Sequence, residues 1–270
     1  MNSIEIGNLA LALCYTLLII PFGIIYWIKA PILGDAAISI LRMTLQLLFV
    51  GLYLQVVFNI NAFWLTSLWL LIMIGVADAS IVRGCNLRLK RFALPVFISL
   101  VFGLFVPLLF FVAVLMRRDN LLDARFAIPL GGMILGNCLR ADIIGIRNFY
   151  EAIRKSEKAY LNSLAMGAGM LEAVRPWFRD AIMAALNPTI ATMATIGLVA
   201  LPGMMTGVIL GGAEPMTAIK YQIAIMIAIF SGTAITVLLA ILVTMKSSFT
   251  AYGVLDKDIF KKTGNKAKKT

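Results

Sequence analysis

The feature that most constrains the fold is a 33-residue stretch, residues 181–213, that contains no charged side chain. A segment this apolar belongs in a lipid bilayer. Within it, Pro202 lacks an amide proton and Gly203 adds chain entropy, so both weaken a helix. Interrupted backbone at membrane depth is tolerated only where protein or a water-filled cavity surrounds it, and transporters build binding sites from such breaks. The stretch therefore predicts a transport or channel subunit.

The length of this stretch also predicts a departure from a straight helix. As one helix it would be about 50 Å long, whereas the hydrocarbon core is only about 30 Å thick. The excess must tilt, bend or fold back, and we expect this at Pro202-Gly203. A fold-back would place the backbone of residues 204–206 beside Thr192 and Thr195.

Similar uncharged runs recur along the 270-residue chain and predict an all-α, polytopic integral membrane protein. Hydrophobic residues make up 61% of the sequence, well above the usage of soluble domains. A helix needs about 20 residues to cross the bilayer core. We predict about seven membrane helices, at residues 6–28, 37–58, 63–82, 93–116, 126–146, 183–209 and 221–245.

The distribution of Lys and Arg predicts the orientation of the chain. With the N-terminus outside, eighteen of the 24 basic residues fall in cytoplasmic segments and three in outer loops. Cytoplasmic loops are enriched in Lys and Arg, so we predict an outside N-terminus and an inside C-terminus in a bacterial cytoplasmic membrane. The domains expected are a permease domain at residues 1–250 and a basic cytoplasmic tail at residues 251–270.

Composition excludes several other functions. The net charge of +11 does not indicate nucleic-acid binding, because the basic residues flank apolar segments and suit anionic lipid instead. The chain has no His, and its three Cys have no motif spacing. It also lacks the pattern G-x-x-x-x-G-K-[ST], so it cannot use ATP by itself. We assign no catalytic residue, no metal ligand and no cofactor to this chain.

Charged residues within the predicted spans allow more than one interpretation. Asp78 and Asp142 raise the alternative of an intramembrane aspartyl protease, but neither has the expected Gly-x-Gly-Asp context, and Arg140 offers Asp142 a nearby counter-charge. Arg42 and Asp78 each lie 18 residues from Ile60 in a predicted outer turn, and this similar depth predicts an ion pair. Independent snorkelling of both side chains to the interface is the alternative.

Residues 147–182 form the cytoplasmic segment, which is predicted to dock to another protein. Charged residues recur at spacings of three and four from Arg147 to Lys158, which predicts an amphipathic helix that extends the fifth span. Gly167 and Gly169 predict a turn, after which a second short helix restarts near Pro176. An amphipathic segment that lies on lipid is the alternative.

Polar and small residues in the spans provide candidates for a transport path. Asn187-Pro188 predicts a kink, and the Thr residues that follow either line a pore or hydrogen-bond a neighbouring helix. Nearby Met residues suit a soft ion such as Cu(I) or ordinary packing. Small-xxx-small patterns, such as Gly132-x-x-x-Gly136 and Gly203-x-x-x-Gly207, suit a seam within the chain or between two copies. The residues assigned to the path are Gln46, Asn137, Asn187, Thr192, Thr195, Pro202, Gly203, Met204, Met205, Thr206 and Glu214.

Several blocks of the sequence resemble the FetB-type iron-export ABC permeases, a group that includes plant aluminium-tolerance half-transporters. The blocks are Leu186-Asn-Pro-Thr-Ile190, Gly197-Leu-Val-Ala-Leu-Pro-Gly-Met-Met-Thr-Gly207, Ile209-Leu-Gly-Gly-Ala-Glu-Pro-Met216, Ala218-Ile-Lys-Tyr-Gln-Ile223, Gly131-Gly-Met-Ile-Leu-Gly-Asn137 and Leu164-Ala-Met-Gly-Ala168. The resemblance covers nearly the whole chain, from Arg42 to about Val243.

The resemblance implies a membrane subunit that works with a separate ATP-binding cassette protein, as two copies of each. The partner would bind ATP and Mg²⁺, and the transporter would export iron, another metal or a metal complex. Export of a small organic substrate such as a nucleotide sugar, or a non-transporting regulator of an ATPase, is the alternative. The residues assigned to coupling with the ATPase are Leu164, Ala165, Gly167, Ala168, Gly169 and Glu172.

Overall fold

A computed structural model describes residues 7–116, 123–199, 201–250 and 252–260 of the chain. Within these ranges the secondary structure is helical, with only isolated β-bridges beside it. The α-helices are α1 (Asn8–Cys14), α2 (Ile19–Trp27), α3 (Leu33–Ile60), α4 (Phe63–Gly84), α5 (Leu89–Phe110), α6 (Ala124–Lys155), α7 (Glu157–Ala165), α8 (Met170–Thr195), α9 (Gly203–Leu210) and α10 (Pro215–Ser248). A 3-10 turn joins α1 to α2, and a π-helical turn, Phe111–Met116, extends α5.

Six helical segments among the described residues are long and apolar enough to cross a membrane. They are Leu9–Trp27, which combines α1 and α2, and then Leu33–Ile60, Phe63–Gly84, Leu89–Val114, Ala124–Lys155 and Pro215–Ser248. This confirms the predicted fold class, an all-α polytopic membrane protein. The count of seven spans and the orientation of the chain stay predictions.

The sixth predicted span, residues 183–209, is not one helix. Its first part belongs to α8, which begins at Met170, and its last part is the separate helix α9. The predicted helix start near Pro176 is therefore wrong. A proline removes only one helical hydrogen bond and has a helical φ, so α8 continues through Pro176 towards the break that follows Thr195.

The core of the bundle is built around α10, which packs against α5, α6 and α8. The crossing of α5 and α10 depends on two glycines that face one another. A Cβ atom added to Gly232 would lie 2.6 Å from the carbonyl oxygen of Gly103. By contrast, a Cβ atom at Gly203 or Gly207 would have nothing within 4 Å, so the predicted small-residue pair there does not form a seam within this chain.

The first two membrane segments contribute little to this core. No residue in the apolar windows of Leu9–Trp27 and Leu33–Ile60 is buried. The end of α3 is anchored through Asn61, which adopts a left-handed conformation (φ 41°) and whose Oδ1 accepts a hydrogen bond from the amide of Ala124 at 3.1 Å. The predicted turn between the second and third spans is thereby confirmed.

Residues 252–260, here called the C-terminal strap, are folded against the bundle rather than free. Tyr160 of α7 is buried and donates a hydrogen bond from its hydroxyl group to the carbonyl oxygen of Gly253 at 2.6 Å. The amide of Arg88 donates to the carbonyl oxygen of Ile259 at 3.0 Å, and Ile259 is fully buried. The strap thus joins α7 to the start of α5. The rest of the predicted tail, residues 261–270, lies outside the described residues.

Candidate functional site

A cavity of about 640 Å³, here called the membrane cavity, lies between α6, α8, α9 and α10. Its polar lining residues are Asn137, Arg140, Thr189, Thr192, Thr195 and Gln222. Its size falls within the range of small-molecule binding sites, roughly 300–1,000 Å³. Of the predicted path residues, the structure brings six to this cavity: Asn137, Thr192, Thr195, Pro202, Gly203 and Met204.

The backbone break beside this cavity agrees with the sequence prediction. Helix α8 ends at Thr195, and Gly197 has a left-handed φ of 87°. Pro202 is extended, with φ −61° and ψ 141°, and α9 begins at the next residue. Of the segment 204–206 that was predicted to lie beside Thr192 and Thr195, Met204 lines the same cavity as these two residues, whereas Met205 and Thr206 do not. A role of the break in transport stays a prediction.

Five of the predicted path residues lie outside the membrane cavity. Gln46 is exposed on α3, and Asn187, Thr206 and Glu214 are exposed as well. Met205 lines a neighbouring cavity of about 410 Å³ that shares Pro202 and Gln222 with the first. Thr189 faces the membrane cavity, and residues two positions apart on a helix point in nearly opposite directions. The side chain of Asn187 therefore points away from the cavity.

Three polar lining residues, Arg140, Thr189 and Gln222, are missing from the residues that the sequence assigned to the path. Gln222 of α10 is only 8% exposed, and its side-chain oxygen is buried without a hydrogen-bond partner. Arg140 of α6 lies three residues after Asn137 and therefore on the same helix face. The sequence contained a signal for Gln222 and for Arg140. Gln222 is an amide near the start of an uncharged run, and Arg140 follows Asn137 at helical spacing.

The structure does not support the two proposed charge pairs. Arg140 and Asp142 are two residues apart on α6, so they point to opposite sides: Arg140 lines the cavity, whereas Asp142 is fully buried in the core. Arg42 is exposed and Asp78 buried, and the structure shows no ion pair between these two described residues. The sequence spacing predicted the depth of Arg42 and Asp78 along their helices, but not the helix face on which each side chain lies.

The potential metal ligands of the described chain do not form a cluster. No group of three or more His, Cys, Asp or Glu residues within that part of the sequence is placed to hold a metal ion. Three Met residues, Met133, Met204 and Met226, line the membrane cavity. They are accompanied by Ile side chains, an environment that suits apolar packing.

The helix–turn–helix predicted between the fifth and sixth spans is present. Helix α7 ends at Ala165 and α8 begins at Met170, and Gly167 in the turn has a φ of 93°. The side chains of Met166 and Leu171 are 83% and 65% exposed beside this turn. Of the predicted coupling residues, Ala165, Gly167, Gly169 and Glu172 are exposed, whereas Leu164 and Ala168 are partly buried.

This fold defines the class of the chain as a multi-pass membrane protein with a cavity among its helices. Residues 8–249 match the uncharacterised protein family UPF0014, and the chain belongs to that family. The family resemblance seen in the sequence is thereby confirmed.

Individual relatives come from bacteria and plants. The protein named "Probable iron export permease protein FetB" from Escherichia coli (strain K12) is 31% identical over 250 residues, which cover 92% of this chain and 95% of FetB. "UPF0014 membrane protein slr1647" from Synechocystis is 34% identical over 70% of this chain and 73% of its own length. "Protein ALUMINUM SENSITIVE 3" from Arabidopsis thaliana is 28% identical over 84% of this chain and 82% of its own length. No solved structure shows a significant match to the chain.

Proposed function

We propose that this chain is the permease subunit of an ATP-binding cassette transporter that exports iron, another metal or a metal complex from a bacterial cell. The observation that carries the proposal is the membrane cavity, which forms where the broken α8–α9 segment meets α6 and α10. Broken helices beside a cavity are the common device by which transporters expose polar groups to a substrate. The name of the E. coli relative, an iron export permease, supports the same function.

The proposed energy source is a separate ATPase subunit that docks on the turn between α7 and α8. The exposed Met166 and Leu171 side chains give this turn an apolar surface, and the charged Glu172 beside them is exposed as well. Exposed apolar groups rimmed by polar residues are typical of protein interfaces. Tyr160 and the C-terminal strap hold α7 on the bundle, so motion at the turn would be passed to α6 and α8.

Two copies of the permease are expected in the working transporter. Within one chain, no residue in the apolar windows of the first two membrane segments is buried. These segments are therefore free to contact lipid or a second copy of the chain. The partners proposed are therefore one further copy of this chain, two ATPase subunits that bind ATP and Mg²⁺, and the surrounding bilayer.

The experiment that tests this function is ATP-driven uptake into inside-out membrane vesicles. Vesicles that contain the permease and its ATPase partner should accumulate iron when ATP is added. The matched control is the same permease with an ATPase that binds but does not hydrolyse ATP. A nucleotide sugar is tested in parallel, because a small organic substrate is the alternative.

The possible results separate the candidate functions. Iron uptake that requires both subunits and ATP hydrolysis supports the proposal. Uptake of the sugar alone identifies the organic substrate instead. Stimulation of the ATPase without uptake of either compound would contradict a transport function and favour a regulator.

A further inference from the structure

Arg140 gives the membrane cavity a positive charge without a compensating acid. It lies roughly 24 Å along α6 from Ala124, well inside the helix. Its Nε donates a hydrogen bond to the carbonyl oxygen of Gly136 at 3.2 Å, and the structure pairs it with no acidic side chain among the described residues. A charged residue in a membrane segment is expensive and usually marks a functional site. An unpaired guanidinium in a cavity favours an anionic ligand, since it offers parallel N–H donors to carboxylate or phosphate oxygens.

Gln222 adds a neutral polar group on the opposite helix. Its Oε1 atom is buried and accepts no hydrogen bond, and the residue lines the same cavity. A buried acceptor without a donor is unfavourable. A ligand that carries a hydroxyl group beside its charged oxygens would supply the missing donor.

The remaining lining does not suit a bare metal cation. The described cavity contains no Asp, Glu, Cys or His. Divalent iron prefers imidazole, thiolate or carboxylate ligands, and a nearby guanidinium repels a free cation. A metal that crosses here is better accommodated inside a complex whose outer atoms are anionic oxygens.

We propose that the membrane cavity binds a small anion that carries a hydroxyl group, with Arg140 contacting the charged oxygens and Gln222 accepting from the hydroxyl. A hydroxycarboxylate, alone or as a metal chelate, and a sugar phosphate share this chemistry. The inference rests on the proposed transport function and names the substrate class of the same cavity.

The test is equilibrium binding to the purified full-length permease in lipid nanodiscs, without the ATPase. The probes are citrate, ferric citrate, glucose 1-phosphate and Fe²⁺ alone. At least one of the three anions should bind saturably, and Fe²⁺ alone should not. Arg140→Gln should weaken the binding about ten- to a hundred-fold, the usual effect of losing a charge-assisted contact. Arg140→Lys keeps the charge but loses the planar guanidinium group, so its affinity for the anion should lie between those of the wild type and Arg140→Gln.

Two matched controls separate recognition from general effects. Arg125→Gln removes the same charge from α6 at a position that is exposed, as Arg140 is, but lies outside the cavity, and this variant should bind like the wild type. Tricarballylate has the three carboxylates of citrate without its hydroxyl group. The wild type should prefer citrate over tricarballylate, and Gln222→Leu should abolish that preference while tricarballylate binding is unchanged.

The proposal is overturned if no anion binds saturably, if Arg140→Gln and Arg125→Gln weaken binding equally, or if Fe²⁺ alone binds independently of Arg140. Its failure is distinct from that of the transport function. ATP-driven iron uptake without Arg140-dependent anion binding would leave the transport function intact, whereas anion binding without uptake would contradict only transport.

Discussion

At the scale of single residues, the two glycines of the α7–α8 turn have different backbone conformations. Gly167 has a φ of 93°, and its amide donates to the carbonyl oxygen of Leu164 at 3.0 Å. Proline is restricted to a φ near −65° and has no amide proton. We expect Gly167→Pro to distort the turn at a local cost above about 1 kcal/mol. Membrane insertion should be retained, whereas co-purification of the ATPase and permease-stimulated ATP hydrolysis should fall.

Gly169→Pro is the matched control for this prediction. Gly169 has a φ of −66° and a ψ of 155°, which proline adopts without strain. This variant should retain ATPase binding and most of the stimulated hydrolysis. Equal loss of coupling in both variants would show that the turn responds to any proline and that the left-handed conformation is not the reason.

At the scale of helices, the close crossing of α5 and α10 predicts a stability effect. In Gly232→Ala the new methyl group would lie 2.6 Å from the carbonyl oxygen of Gly103 and 2.9 Å from the side chain of Ile134, so the helices must separate. Overpacking of this kind costs about 1–3 kcal/mol. We expect a lower midpoint of thermal unfolding in detergent, measured by the fluorescence of the tryptophans.

Gly75→Ala provides the comparison at a helical glycine where an added Cβ has nothing within 4 Å. Alanine favours a helix over glycine by up to about 1 kcal/mol, so this variant should be as stable as the wild type or more so. If Gly232→Ala were equally well tolerated, the crossing of α5 and α10 would have enough room to relax.

At the scale of the whole molecule, the C-terminal strap predicts a dependence on pH. Asp256 accepts a hydrogen bond from Arg91 of α5, and this bond lowers the pKa of the Asp256 carboxyl below its ordinary value near 4. Because the folded-state pKa is the lower one, this contribution is complete above about pH 4 and is lost as the pH falls through the folded value. The strap should therefore loosen under acid conditions.

A spin label attached through Tyr252→Cys would report this change, because Tyr252 is 90% exposed and the label should not disturb packing. With the native cysteines replaced, the mobility of the label should rise as the pH is lowered from neutrality to below 4. Asp256→Asn should give a more mobile label that no longer responds in this range. An unchanged acid response in Asp256→Asn would assign the pH dependence to other groups.

Much of the fold could be predicted because it depends on short segments. The uncharged runs located the apolar membrane helices, and Gly167 and Gly169 located the turn after α7. The least accurate predictions concerned what happens inside a span. The structure divides residues 183–209 between α8 and α9, and helix α8 continues through Pro176, because one missing hydrogen bond does not stop a helix that tertiary contacts support.

The sequence by itself determined that this chain lies in a membrane and that its backbone is interrupted near Pro202, since apolar length and the conformational limits of Pro and Gly act over a few residues. Only the tertiary structure decided which polar groups share a cavity. Arg140 and Gln222 lie on different helices, and both line one cavity because α6 and α10 pack on one another in the core. Likewise, Asp142 faces the core while Arg140, two residues away, lines the cavity. Helical spacing shows which residues share a face, but the packing of distant helices determines what that face meets.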